Sequence, residues 1–345
     1  MLRHGMSPRG VSVRARPKPI MSVGDPDGVV GHVARDRLAF ALVDEGGALD
    51  VASIRSFAKE DQPTVSGGLS DFLRAAGTSP SLKRCALAVA GVARGDVVSI
   101  TNSPWFVSRS GLAAMLGAPP IILNDFAARA WALADPSKAK VETFQGARPS
   151  MTQSEGSCCL IGIGLELGVA ALVRDSSGVS RVIASEAGAS ILPSSQSLKS
   201  PAVERLHGSG DRIEAYKVLS GIGLARLAQA MRGGASPVKV TDLAAVRAVT
   251  NGRDASDREA LNVFCELFWE FAANLTMTFG AWDGVLVTGE VAHMLRARLI
   301  DAARLGFARK GPHMRLLQAV PLSFVTVDHG ELAGAAMALN AAGEP

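Results

Sequence analysis

No run in the sequence approaches the ~18 consecutive apolar residues that a membrane-spanning helix requires, so nothing here reads as a transmembrane segment. C-x-x-C spacing is also missing: the cysteines are Cys85, Cys158, Cys159 and Cys265, and the first three lie in apolar runs that read as buried strands. Neighbouring residues of a strand point to opposite faces, which leaves Cys158 and Cys159 poorly placed to bridge each other. Reduced core thiols in a cytoplasmic protein, with no metal ligation, are the expectation. Residues 1–20 contain no acid, yet they carry Arg3, Arg9, Arg14, Arg16 and Lys18. The formal net charge is +4, so the remaining 325 residues sit near −1 and the basic pI belongs to the tail. That distribution argues against a nucleic-acid surface. The tail has no apolar core of the kind a secretory signal needs. Residues 1–22 read as a disordered extension or as an over-long start with Met21 as initiator, a transit peptide being the remaining alternative.

What is present is an ordinary globular composition, 48% hydrophobic and 20% charged over 345 residues, enough for two domains and a sizeable core. Strand-like runs fall at 28–33, 38–43, 85–90, 97–101 and 120–123, separated by Gly, Asp or Ser. Residues 125–133 read as a helix entered directly from the last of these strands. A small α/β domain over 23–135 follows, with residues 135–157 as the linker candidate. The second block, 136–345, repeats the theme. Strands at 158–163 and 169–173 flank a glycine-rich turn, and 201–250 is helix-rich. Ser256 with Glu259 has the form of a capping box that opens an apolar helix to about Phe279. A strand at 284–288, a helix near 291–307, a strand at 322–327 and a last helix from Glu331 complete it, and that last helix could pack back on the small domain. Trp131, Trp269 and Trp282 read as core. The alternation by itself implies an α/β protein of two domains.

Specific motifs begin at Thr101-Asn102-Ser103-Pro104-Trp105, followed about twenty residues later by Leu123-Asn124-Asp125-Phe126-Ala127-Ala128. Val218-Leu219-Ser220-Gly221-Ile222-Gly223-Leu224, then Ala273-Asn274-Leu275, then Asp328 to Gly334 continue the series. In order and spacing these segments resemble the bacterial glucokinase family over residues 23–340. The resemblance implies a two-domain actin-like ATPase fold, ribonuclease-H-like in each half, with a cleft between the domains. It implies glucose phosphorylation with ATP and Mg²⁺, no tightly bound cofactor, no metal held by the protein alone, and a hexose as partner. Nucleic acid and membrane are not expected, and a homodimer is left open. By the same resemblance Asp125 is the catalytic base, and Asn124, Glu186 and Asn102 hold the sugar. Gly162, Gly164 and Gly168 form the second phosphate turn, and Gly221, Gly289 and Glu290 lie on the nucleoside side. A helix N-cap is the plain reading of an Asn-Asp pair after a strand, and it is compatible with the catalytic one.

Departures from the pattern bear on activity. The family's first turn, D-x-G-G-T-N-x-R, aligns with His32-Val33-Ala34-Arg35-Asp36-Arg37-Leu38-Ala39, so His32 replaces an aspartate and Ala34 and Arg35 replace glycines. The second turn, G-x-G-T-G-L-G, has become Gly162-Ile163-Gly164-Leu165-Glu166-Leu167-Gly168, which sets a carboxylate where phosphates belong. Ala189 replaces a sugar-side histidine, Tyr216 a glutamate, and Glu290 the second glycine of a clamp. These changes imply weak or absent activity, or a non-catalytic protein used for regulation, sugar sensing or partner binding. An unpaired carboxylate in a cleft is costly. Arg35 and Arg37, in the altered first phosphate turn, could compensate by pairing with phosphate, but Arg35 or Arg37 is expected instead to pair with Glu166 across the cleft and close the phosphate site.

Overall fold

The computed structural model describes residues 26–77, 82, 84–147, 149, 155–193, 198, 201–207, 212–233, 243–307 and 311–343; the basic tail lies outside these residues. Thirteen strands are described: β1 (Pro26–Val33), β2 (Arg37–Asp44), β3 (Arg55–Ala58), β4 (Arg84–Val89), β5 (Val97–Ser99), β6 (Phe106–Ser108), β7 (Ile121–Asn124), β8 (Ala139–Gln145), β9 (Gly156–Ile163), β10 (Leu167–Arg174), β11 (Ser180–Ser185), β12 (Gly284–Thr288) and β13 (Leu322–Val327). They form a five-stranded sheet in the order β3-β2-β1-β4-β7 and a six-stranded sheet in the order β11-β10-β9-β12-β13-β8. In each sheet three antiparallel strands are followed by two that run parallel to the first. The second half thus repeats the first, with β8 added antiparallel on β13.

Both faces of each sheet are covered, which is why the central strands read as nearly continuous apolar runs. Along β1, Val29 and Val33 face a core shared with Leu69 and Phe72 of helix Val65–Ala75, while Val30 faces the other way. Along β9, Cys159, Ile161 and Ile163 face the large core built around Phe264, Phe268 and Trp269 of helix Ala255–Phe279, while Cys158 and Leu160 face the other way. The opposite faces are covered by helices that cross between the halves. Helix Asp125–Ala132 leaves β7 and packs on the six-stranded sheet, with Ala130 and the following Leu133 against Leu160, Ala170 and Leu172. Helix Gly330–Ala341 leaves β13 and packs on the five-stranded sheet, with Leu332, Ala335, Ala336 and Leu339 against Val30, Ala41 and Ala86. The two helices meet at Gly334, where an added Cβ would fall 1.6 Å from the Ala128 carbonyl oxygen. Only glycine permits that approach.

Several local expectations need correction. The linker candidate 135–157 contains β8, a half-buried sheet strand rather than free chain. Helix Ala255–Phe279 is capped by Asp254, whose Oδ1 accepts from Asp257 N at 2.7 Å, so Ser256 lies inside the first turn and is not the cap. Residues 97–99 belong to a separate two-stranded hairpin with β6. Trp282 is 40% exposed and is not core, whereas Trp269 is fully buried with its Nε1–H donated to Leu299 O at 2.8 Å. All four cysteines are buried and free.

Candidate functional site

Asp125 owes its place to the residue before it. Asn124 ends β7 in an extended conformation, and its Oδ1 accepts from Phe126 N (2.9 Å) and Ala127 N (3.1 Å), which satisfies two of the donors a helix start leaves open. Its Nδ2 donates to Gly91 O at 3.2 Å, so most of the Asn124 amide is committed to holding the turn. Asp125 then begins the helix with a half-buried carboxylate on the cleft wall, Oδ1 accepting from Phe126 N at 2.8 Å. Burial, helped by the nearby carboxylates of Glu331 and Glu166, pushes its pKa up to about 7 against the opposing pull of Arg129 and the Phe126 N–H. A carboxylate ionised near neutrality, yet a far better proton acceptor than an ordinary aspartate, is what general-base chemistry at a hydroxyl asks for.

One turn below, Arg129 donates from Nε (2.9 Å) and Nη2 (2.5 Å) to Glu331 Oε1, joining the two crossing helices. Burial would raise the Glu331 carboxyl, but His32, Arg129 and a backbone N–H outweigh it and hold it below the usual range. His32, on the face of β1 that this helix covers, is pushed down chiefly by burial, with Arg129 and Arg37 adding to the fall and Glu331 opposing it.

Across the cleft, the turn between β9 and β10 carries the glycines. Gly162 and Gly168 are paired in register, and an added Cβ on either would lie 2.2 or 2.3 Å from the Phe126 ring. Gly164 O accepts from Gly221 N at 2.8 Å and Leu165 O from Ile222 N at 3.3 Å, so the turn caps the start of helix Gly221–Met231. Gly289 adopts φ 102° close against Ile163 O, and Glu290 begins the next short helix with its Oε1 held by Arg247 Nη2 at 2.6 Å. Glu166 is exposed, and its Oε1 accepts from Asn102 Nδ2 at 3.3 Å. Asn102 reaches it from the other half of the molecule on a left-handed backbone (φ 56°).

These groups line one cleft of about 800 Å³. It brings together Asn102, Asn124, Asp125, Gly162, Gly164, Glu166, Gly168, Glu186, Gly289 and Glu290; Gly221 lies just behind the wall. Burial raises the Glu186 carboxyl above its usual value. Arg35 and Arg37 do not line the cleft, and among the described residues neither forms an ion pair with Glu166. The expected bridge is therefore corrected. Glu166 is exposed enough to need no guanidinium, and the Asn102 amide takes it instead.

A sequence model of the Glucokinase family, described by that name, matches residues 29–342. The chain belongs to the glucokinase family. A glucokinase-like protein of Xylella fastidiosa (strain Temecula1 / ATCC 700964) is 33% identical over 284 residues, covering 81% of this chain and 82% of its own. The glucokinase of Stenotrophomonas maltophilia (strain R551-3) is 30% identical over 324 residues, covering 92% and 96%. Among solved structures, a glucokinase from an Antarctic psychrotroph superposes with a TM-score of 0.72 at 25% identity, over 90% of this chain and 98% of that one. The fold is accordingly the two-domain actin-like ATPase fold that glucokinases share.

Against that family background the cleft has two carboxylates that the motifs do not call for, Glu166 and Glu290, and a third, Glu331, lies beside it in a separate small cavity with Arg129. The first two were legible as substitutions in short motifs. Glu331 was not, because its partner Arg129 lies 202 positions away and only the crossing of the helices joins them. The spacing of Asp125 and Arg129, one helical turn apart, was the available signal. Phe126, also on the cleft wall, stood inside the Leu123–Ala128 motif without a role of its own, and Arg226 carried no recognisable pattern.

Proposed function

We propose that this member of the glucokinase family binds a hexose in the cleft and phosphorylates glucose from ATP weakly or not at all. In this reading Glu186 and Asn102 accept and donate hydrogen bonds to sugar hydroxyls, and Asp125 takes the proton of the reacting one. Asn124 mainly fixes the position of Asp125. The residues present do not fit a magnesium-bound triphosphate. The observation that carries the reading is Glu166, whose carboxylate projects from the turn that should receive phosphates and is tied to Asn102 of the opposite half. Such a charge ~4 Å from a phosphate opposes binding by about 1–4 kcal/mol, roughly 5- to 1000-fold, depending on how much water screens it. The same contact favours a second reading, in which the two-domain scaffold serves sugar sensing or partner binding without catalysis.

Separate calorimetric titrations with glucose and with Mg-ATP test this. Glucose is expected to bind and Mg-ATP to bind poorly. Glu166→Gly combined with Leu165→Thr is expected to improve Mg-ATP affinity at least about tenfold. A wild-type turnover on the order of tens per second, abolished by Asp125→Asn, would overturn the reading.

A further inference from the structure

Arg226 stands apart from the other cations of the cleft. Arg129 is spent on Glu331, and Lys217 lies 2.6 Å from Glu214. Arg226 forms no hydrogen bond or ion pair among the described residues, and its Nε is sealed from solvent with no acceptor. Free rotation into water would solvate that N–H, so packing holds the guanidinium in the wall of the cleft. It sits one helical turn beyond Ile222 on helix Gly221–Met231, and both side chains line the cavity.

The wall between Arg226 and the sugar side is continuous. Ala215 N donates to Ser190 O at 2.8 Å, tying the short helix Ala215–Lys217 to the turn that carries Glu186 and Ala189. Tyr216 and Lys217 then line the cleft between that turn and helix Gly221–Met231, with Tyr216 43% exposed. One end therefore offers a carboxylate acceptor for hydroxyls, and the other an unpartnered cation in a partly desolvated setting. A neutral hexose satisfies the first end and leaves the second empty. A triphosphate satisfies the cation but meets Glu166 at the turn. A single phosphate ester on a sugar satisfies both and avoids the turn.

We propose that Arg226 is an anion subsite of the cleft and that the ligand class it selects is the phosphate monoester of a hexose. The proposal rests on the hexose reading above. Titration calorimetry of the full chain with glucose, glucose 6-phosphate and inorganic phosphate tests it, on wild type, Arg226→Met and Arg226→Lys. Glucose 6-phosphate is expected to bind about 10- to 100-fold tighter than glucose, the margin of a charge-assisted hydrogen bond. Arg226→Met should erase that margin and leave glucose affinity unchanged, which also certifies its fold; Arg226→Lys should restore part of it. Equal affinity for the two sugars, or a margin that survives Arg226→Met while glucose still binds, overturns the anion subsite and leaves the hexose reading standing. Binding of inorganic phosphate through Arg226 with neither sugar bound would keep the anion subsite but overturn both the hexose-phosphate ligand class and the hexose reading.

Discussion

Helix Asp125–Ala132 and helix Gly330–Ala341 play matching parts in opposite directions, each leaving one sheet to cover the other. Their second residues, however, are unlike. Phe126 lies against Gly162 and Gly168 of the β9–β10 hairpin, a contact that an added methyl on either glycine would block. Glu331 lies against the β1–β2 hairpin, where the register-equivalent pair is His32 and Ala39. One seam is apolar; the other is a half-buried set of titratable groups, Glu331, Arg129 and His32, that adjoins Asp125. A duplicated fold need not duplicate its chemistry, because strand register fixes only which positions meet and the side chains decide what the meeting does.

The harshest way to break the comparison is at the crossing itself. Gly334→Val drives a branched side chain into the Ala128 carbonyl and should cost more than about 4 kcal/mol, leaving little folded protein by circular dichroism. At the apolar seam, Phe126→Ala should cost about 2–4 kcal/mol in urea unfolding, discounted from a full core deletion because the ring is partly exposed, and the loss should be the same at pH 5 and pH 8.

At the charged seam, pH should matter. Glu331 is held below its ordinary value, so its contribution is present above about pH 4.5 and fades as pH falls through its folded value. Glu331→Gln should therefore destabilise by about 1–3 kcal/mol at pH 7, much of it from leaving Arg129 without its carboxylate, and by less near pH 3. Asp125 runs the other way. Its folded value of about 7 lies above the unfolded one, so the folded state is favoured below about pH 4 and that advantage is lost as pH rises to 7. Asp125→Asn should thus stabilise the protein by about 1–2 kcal/mol at pH 8, after discounting for the part of the group that solvent reaches, and have little effect at pH 4. A flat difference between pH 4 and pH 8 for both variants would erase the contrast between the seams.

Much of the architecture was legible because strands buried on both faces announce themselves as short apolar runs, and the order of turns repeats. The helix after Asp125 was equally plain, since it follows β7 without a break. What escaped depended on contacts distant in sequence. β8 was hidden because its residues alternate only between half-buried and exposed, which leaves no apolar stripe. The true cap at Asp254 lost to Ser256 because both residues cap well and only backbone geometry chooses between them. Site motifs indicated most of the positions that enter the cleft, but Arg35 and Arg37 stay out of it, and Asn102 rather than an arginine takes Glu166. That choice rests on the left-handed backbone at Asn102, which no pattern of residue types encodes.

The crossing helices also bear on how the chain comes to be folded during synthesis. One face of the five-stranded sheet is completed by Leu332, Ala335, Ala336 and Leu339, which follow β7 by roughly 200 residues. At about 5–20 residues per second, translation leaves Val30, Ala41 and Ala86 without their cover for about 10–40 s. The first half to emerge is therefore the last to close, and that apolar face stays uncovered until the final helix arrives.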